Sequence, residues 1–532
     1  MYRHSYPRAA LRRTTALVLA VVSCVEVQAA APSDNRAIVS ADVHHDVLPS
    51  LSAMVRSAKS GGDRGTSHAV KMPRPYTGVP SAAVVDRATQ ASPRVSLAAP
   101  TASAGLNFDG LGQGFPGFTV NSAPPDTNGA VGATQYFQIV NSSCAIFDKA
   151  TGARLLGAAA TNTIWAGFGG KCQTANDGDA AVKWDQAAQR WIVSQFAVTP
   201  NAAPFLECVA VSQTADATGA YYRYAFSYNN FPDYPKFSVW PDAYYFTFNQ
   251  FNAAGTAFLG PLACAYDRAK MLIGAPATQQ CFSLTTAFDS LLPADPDGNS
   301  PVPAGAPNYL MNIGPTALNM WKFHVDFTTP ANTTFTGPTA IPVAAYTQLC
   351  SAKGSCIRQP GTNTRLDSLG DRLMFRLAYR QYPDGHEAMV ATHSVSTGLR
   401  WYEVRSPASA PVMFQQGTYV PNSATRWLGS AGQDKLGNFA IGYSVSSTAI
   451  RPSLRYSLRA PADPLGTLGS ETTIITGTGV QTGGLSRWGD YAAMVVDPVD
   501  DCTFWFTSEY LKTNGSFNWN TRIASFKIPA CQ

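Results

Sequence analysis

The chain has 532 residues, a formal net charge of +5 and only 14% charged side chains, against roughly 25% in ordinary soluble proteins. So weak a positive balance, with no Arg/Lys run in the body of the chain, argues against a nucleic-acid partner. Aromatic residues at 11%, with 43 Gly and 37 Pro, suit many short strands joined by turns.

At the N-terminus, Arg8, Arg12 and Arg13 precede the apolar run 16–22, and Val27-Gln28-Ala29 follows as a small-residue cleavage site. This is the layout of a secretory signal over residues 1–29, too short for a membrane span. Val21-Val22-Ser23-Cys24 also resembles a bacterial lipoprotein box, which would leave an acylated Cys24 at the mature N-terminus. Both readings export the protein, to the extracellular space or the cell surface. No later stretch reaches the ~18 uninterrupted apolar residues of a transmembrane helix. Residues 30–105 are rich in Ala, Ser, Pro and Arg, poor in aromatics and without a sustained period. They read as a disordered linker or pro-segment.

From residue 106 to 532 short aromatic and β-branched runs alternate with Gly, Asn, Asp and Pro turns, and no helical period is sustained. Tyr136–Val140, Trp191–Phe196, 244–248 and 503–507 are typical strands. A unit recurs in which a polar loop leads into a small or apolar strand, a tight turn and an aromatic strand. Its copies start at residues 126, 179, 236, 307, 371, 430 and 490. This spacing suits a four-stranded propeller blade with generous loops. The expected fold is all-β, a single β-propeller of seven blades, or six if the copy at Pro307-Asn308, which lacks an acidic entry residue, is an insertion.

Without Cys24 nine cysteines remain, and an oxidising compartment should pair all but one. Local pairing joins Cys350 with Cys356, Cys264 with Cys281, Cys502 with Cys531 and Cys144 with Cys172, leaving Cys208 free. No Cys/His cluster has zinc spacing.

The segment Asp497-Pro-Val-Asp-Asp501-Cys-Thr503-Phe-Trp505 resembles the Asp-box turn of sialidase-like and related BNR-repeat propellers, and Asp185 to Trp191 is a looser echo. The leading Ser and the box glycine are missing. In that family the box is a structural turn, so the resemblance implies architecture and not catalysis. No Arg-Ile-Pro motif occurs, and Glu509-Tyr510 are strand neighbours facing opposite sides. A sialidase activity is therefore not expected.

In a propeller, the loops entering the innermost strands gather at one mouth of the central channel. Here they would bring together Asp126, Asp177, Asp179, Lys236, Asp371, Arg426, Trp427, Arg487, Trp488 and Asp490. Asp179, Asp371 and Asp490 are the candidate catalytic carboxyls, since glycosidic cleavage divides acid and base roles between two such groups. Asp126, Lys236, Arg426, Trp427, Arg487 and Trp488 are the candidate binding groups: guanidinium forks grip sugar carboxylates and indoles stack on sugar rings. Asp177 and Asp179 offer oxygens to Ca²⁺, although solvated turns use the same strings. An Asp at a strand entry also fixes its own turn, and a Trp beside it also packs between blades. No Gly-x-Ser-x-Gly elbow, phosphate loop or dinucleotide fingerprint is present. The expectation is an exported propeller, monomeric, that binds extracellular carbohydrate at its central mouth; whether it also cleaves is left open, and if it is an enzyme it is a glycoside hydrolase or polysaccharide lyase. The alternative is a non-catalytic surface or adhesion module that meets protein partners through the propeller rim.

Overall fold

A computed structural model describes residues 36–57, 84–90, 102–350 and 354–532. The export signal expected over residues 1–29, with Cys24, lies outside the described residues. Seven antiparallel arrays, each a meander of four strands, follow one another. They span residues 128–160, 181–228, 231–283, 292–342, 374–419, 425–475 and 493–527, the last completed by Ser103–Gly112. The innermost strands are Asn128–Val131, Ala181–Asp185, Phe231–Val239, Leu292–Pro296, Met374–Gln381, Thr425–Gln433 and Ala493–Val496. Each lies against the next, and the last returns to the first. A cyclic order of radial antiparallel sheets is a β-propeller.

Sheets stacked face to face bury both sides of a strand, so their sequences lose the polar alternation of a half-exposed strand. Tyr244–Phe251 is buried at all positions, which is why it reads as an aromatic run. Where neighbouring arrays approach closely, side chains must shrink: a Cβ on Gly442 would meet the Phe506 ring at 2.5 Å. Between the fourth and fifth arrays the approach becomes parallel pairing, Ala294 with Leu377 and Asp295 with Ala378.

The ring is closed by the strand that precedes the first array. Ser103–Gly112 pairs antiparallel with Asn520–Lys527 as the outer strand of the last array, so both ends of the propeller chain share one sheet. Gln138 of the first array locks this joint, donating to Thr507 and Thr521 (2.9 Å each) and accepting from the Leu111 N–H at 2.8 Å.

The linker expected over residues 30–105 is partly built into the fold. Ile38–Ala41 adds a fifth strand to the third array through Thr278–Ser283, and His44–Leu48 does the same for the second through Tyr221–Tyr228. Asp46 forks onto Arg223 at 2.6 and 2.7 Å, Leu48 and Leu51 are fully buried, and Asp86 forms a buried ion pair with Arg400. Strand addition to an existing edge draws on backbone hydrogen bonds, so the segment needs no periodic pattern of its own.

Three disulfides are those expected: Cys264–Cys281, Cys350–Cys356 and Cys502–Cys531. The fourth differs. Cys172 bonds Cys208, and among the described residues Cys144 is the free, buried thiol. The short helix Gly170–Thr174 packs against the strand Phe205–Ser212, whereas Cys144 sits in the apolar cluster shared by the first two arrays, and burial pushes its thiol up to about 12.

If residues 36–57 are an integral part of the propeller, Leu51→Ala should cost about 2–5 kcal/mol, as for other buried Leu truncations. A denaturant melt reads this directly, and an unchanged midpoint would return the segment to a solvated linker.

Candidate functional site at the entry mouth

Each innermost strand is associated with one non-glycine residue in the left-handed backbone region, two to five residues before it or, in the third and sixth arrays, at its fourth position. These are Asp126 (φ 47°), Asp179 (46°), Tyr234 (56°), Ser290 (48°), Leu369 (43°), Leu428 (52°) and Asp490 (56°). Asp tolerates this conformation through local hydrogen bonds, but Tyr, Ser and Leu hold it against a cost of about 1–3 kcal/mol each. The turns thus aim the entry residues of successive arrays toward one mouth.

Five of the expected site residues meet there. Asn141 donates to Asp126 Oδ2 at 2.6 Å and accepts from the Asp179 N–H at 2.9 Å, joining the first two entries. Tyr491 donates to Asp179 Oδ2 at 2.9 Å. The Lys236 ammonium lies 3.2 Å from the Tyr234 ring centroid and 3.5 Å from that of Tyr491, and donates to the Pro235 carbonyl. Arg487 pairs with Asp490. Burial, then the fields of Asp490 and Asp179, push the Asp126 carboxyl well above the usual range. Burial also raises Asp179 and pulls the Lys236 ammonium well down.

The remaining expected residues are placed differently. Asp371 is forked by Arg372 at 2.9 and 3.1 Å, and that guanidinium lies 4.7 Å from the Tyr234 centroid, at the border of the cluster. Arg426 turns outward to Glu471, at 2.9 Å through both Nε and Nη2, and ties the outer edge of its own array. Trp427 and Trp488 are fully buried against each other, ring centroids 5.7 Å apart. Asp177 is saturated by the N–H groups of Val198 and Thr199 and the Thr199 hydroxyl. Among the described residues no group of three or more His, Cys, Asp or Glu side chains is arranged to hold a metal ion.

Sequence reasoning missed Tyr234, Tyr491, Asn141 and Asp233. Burial and the charge of Asp179 push Asp233 up to about 7. Asp233-Tyr234 precede the strand anchor Lys236, and only the left-handed turn reveals their role.

Further along the same strands the axis is filled. Lys183 of the second array and Asp295 of the fourth meet at 2.5 Å. Arg376 of the fifth donates to Asp295 at 2.7 Å, to Asp297, and to the Met494 carbonyl of the seventh. Asp297 also accepts the Gln433 N–H of the sixth at 2.8 Å. Burial lowers Lys183 to about 8. Although burial opposes it, the two cations hold Asp295 below the usual carboxylate range. A charged layer therefore underlies the mouth cluster. A separate surface cavity of about 500 Å³, lined by Thr134, Gln135, Leu155, Ala215, Asp216 and Thr218, holds one carboxylate, already bound by Gln135 and Thr218.

The Asp-box-like segment is a turn, as the resemblance implies. Asp500 caps the N–H groups of Cys502 and Thr503, and Asp497 accepts from Val499 and from the Trp505 indole. No protein-family model matches the chain, and no curated protein does. Among solved structures it is similar to a Dyadobacter fermentans protein of unknown function, at 10% identity and TM-score 0.36 over 65% of this chain and 93% of that one. An endo-arabinase from Bacteroides thetaiotaomicron is similar at 9% identity and TM-score 0.27, over 66% and 92%. A Trypanosoma rangeli sialidase is similar at 8% and 0.31, over 63% and 53%. The likeness to sialidase-like propellers is weak, and the propeller assignment rests on the strand order itself.

Two measurements test this description. Arg376→Ala would leave Asp295 and Asp297 buried without their shared cation and should cost about 3–5 kcal/mol, read in a denaturant melt. Asp233 keeps its proton in the folded state over a pH range where the unfolded chain has lost it. Its contribution therefore falls as pH rises toward 7, and Asp233→Asn should raise the melting temperature at about pH 8 and leave it unchanged at about pH 4.

Proposed function

We propose that this chain is an exported propeller that binds carbohydrate at the entry mouth. The observation that carries the reading is the convergence, from the first, second, third and seventh arrays, of carboxyls, two cations and two tyrosine faces on strained left-handed turns. Backbone strain of this kind collects at functional sites. Hydroxyl-rich ligands are recognised by such mixed donors and acceptors beside aromatic faces. Asp126, which burial holds toward its protonated form, and Asp490, which is paired with Arg487, supply the unlike carboxyls that glycosidic cleavage uses. Four disulfides among the described residues support an oxidising compartment and hence export; no helix there is long and apolar enough to cross a membrane.

A second reading has its own support. Ile38, Val39, Val43 and Val47 are exposed along the added outer strands and the turn between them, an apolar rim suited to a protein partner.

A glycan array probed with the full chain should show selective binding, weakened about tenfold or more (about 1.4 kcal/mol) by Asp179→Asn and by Arg487→Ala. Binders should then be assayed for turnover. Binding to no glycan, or binding that both variants retain, would refute the central site. Loss of partner contact in Ile38→Ser with Val47→Ser would then favour the rim.

A further inference from the structure

The cations at the mouth are already paired. Arg487 holds Asp490, Arg372 forks onto Asp371, and Arg426 is turned away to Glu471. Lys236 is enclosed by two rings and the Pro235 carbonyl. The acceptors are not all committed. Asp126 Oδ1 and Asp490 Oδ1 are buried with no hydrogen-bond partner, and Asp126 as a whole is 3% exposed. Two donors, Arg487 Nε and the Tyr234 hydroxyl, are also unpartnered. Setting aside the Asp371–Arg372 pair, four carboxyls (Asp126, Asp179, Asp233 and Asp490) face two cations, Lys236 and Arg487.

We infer that the mouth selects a sugar bearing an amine, and not the acidic sugar expected from the arginines of the sequence. The inference rests on the carbohydrate reading above. A sugar carboxylate would find its guanidinium forks occupied and would crowd a cluster in which carboxyl groups already outnumber the cations, an unfavourable like charge at short range. A sugar ammonium would supply the donors that Asp126 Oδ1 and Asp490 Oδ1 lack, while a ring hydroxyl oxygen would accept from Arg487 Nε.

The groups facing Asp126 are Asp490, Asp179, Arg487, Lys236, Tyr491 and Asn141. Burial and the two neighbouring carboxyls push its carboxyl well above the usual range. A bound ammonium relieves that repulsion and favours the ionised form, so binding should expel a proton.

Calorimetric titration of the full chain compares three probes: a glucosamine oligosaccharide, its fully N-acetylated counterpart, and a uronic acid oligosaccharide of equal length. At about pH 6 the amine is charged, and the first probe should bind at least tenfold tighter than the second, with the third not binding. Two buffers of different ionisation heat should report proton release. Asp126→Asn, checked for folding by its melt, should remove both the preference and the proton release; Asp490→Asn serves if the first variant does not fold. Equal or tighter binding of the acetylated or acidic probe would overturn the inference and leave the carbohydrate reading standing. Failure of all three probes, with binders elsewhere on the array, overturns the inference alone; no binder anywhere removes both.

Discussion

The interaction on which the rest depends is the knot of charge on the axis. Lys183, Asp295, Arg376 and Asp297 are almost entirely enclosed, and charges taken that far from water are tolerated only when each is paired and hydrogen-bonded. The pairing is possible only if the second, fourth and fifth arrays stand in one register. The parallel contact of Asp295 with Ala378 and Ala294 with Leu377 sets Arg376 beside Asp295. Such a knot adds little net stability over an apolar plug. Its effect is to penalise every misplacement of one array relative to the others.

The charged layer and the mouth are built from the same residue types to different ends. In that layer, Asp295 faces two cations and Asp297 takes both a guanidinium and a backbone N–H. At the mouth, carboxyls come close to one another and two oxygens lack a partner. Phe375 stands between the two layers, 6.5 Å from the Tyr491 ring and 4.3 Å from the Lys183 ammonium, so the polar layers touch through aromatic faces. The saturated layer is suited to holding the ring.

The architecture was legible because its repeat is visible wherever an Asp occupies the left-handed position, as at residues 126, 179 and 490. Elsewhere the position holds Tyr, Ser or Leu, and the sequence signal moves to a neighbour. The expected fourth anchor at Pro307 marks the second strand of its array, Asn308–Ile313, while the entry itself is Ser290. The repeated Arg-Trp pair shows how far a pattern can be carried. Trp427 and Trp488 do occupy matching places, packed together, but the arginine beside one turns outward and the other stays at the mouth, because only the first has Glu471 within reach. The added strands at 38–48 left no trace in the sequence, since edge pairing asks nothing of side-chain periodicity. The pairing of Cys172 with Cys208 was hidden for a related reason: proximity in sequence favoured Cys144, but the fold encloses that thiol.

The left-handed turns preserve something that the side chains have lost. Seven entries share one backbone conformation while their residues range over Asp, Tyr, Ser and Leu. Leucine and tyrosine have no intrinsic reason to sit there, so a conformational demand has outlasted the residues best suited to it. This is the imprint expected of a single module copied in tandem, whose copies then diverged in chemistry while the geometry of their joints held.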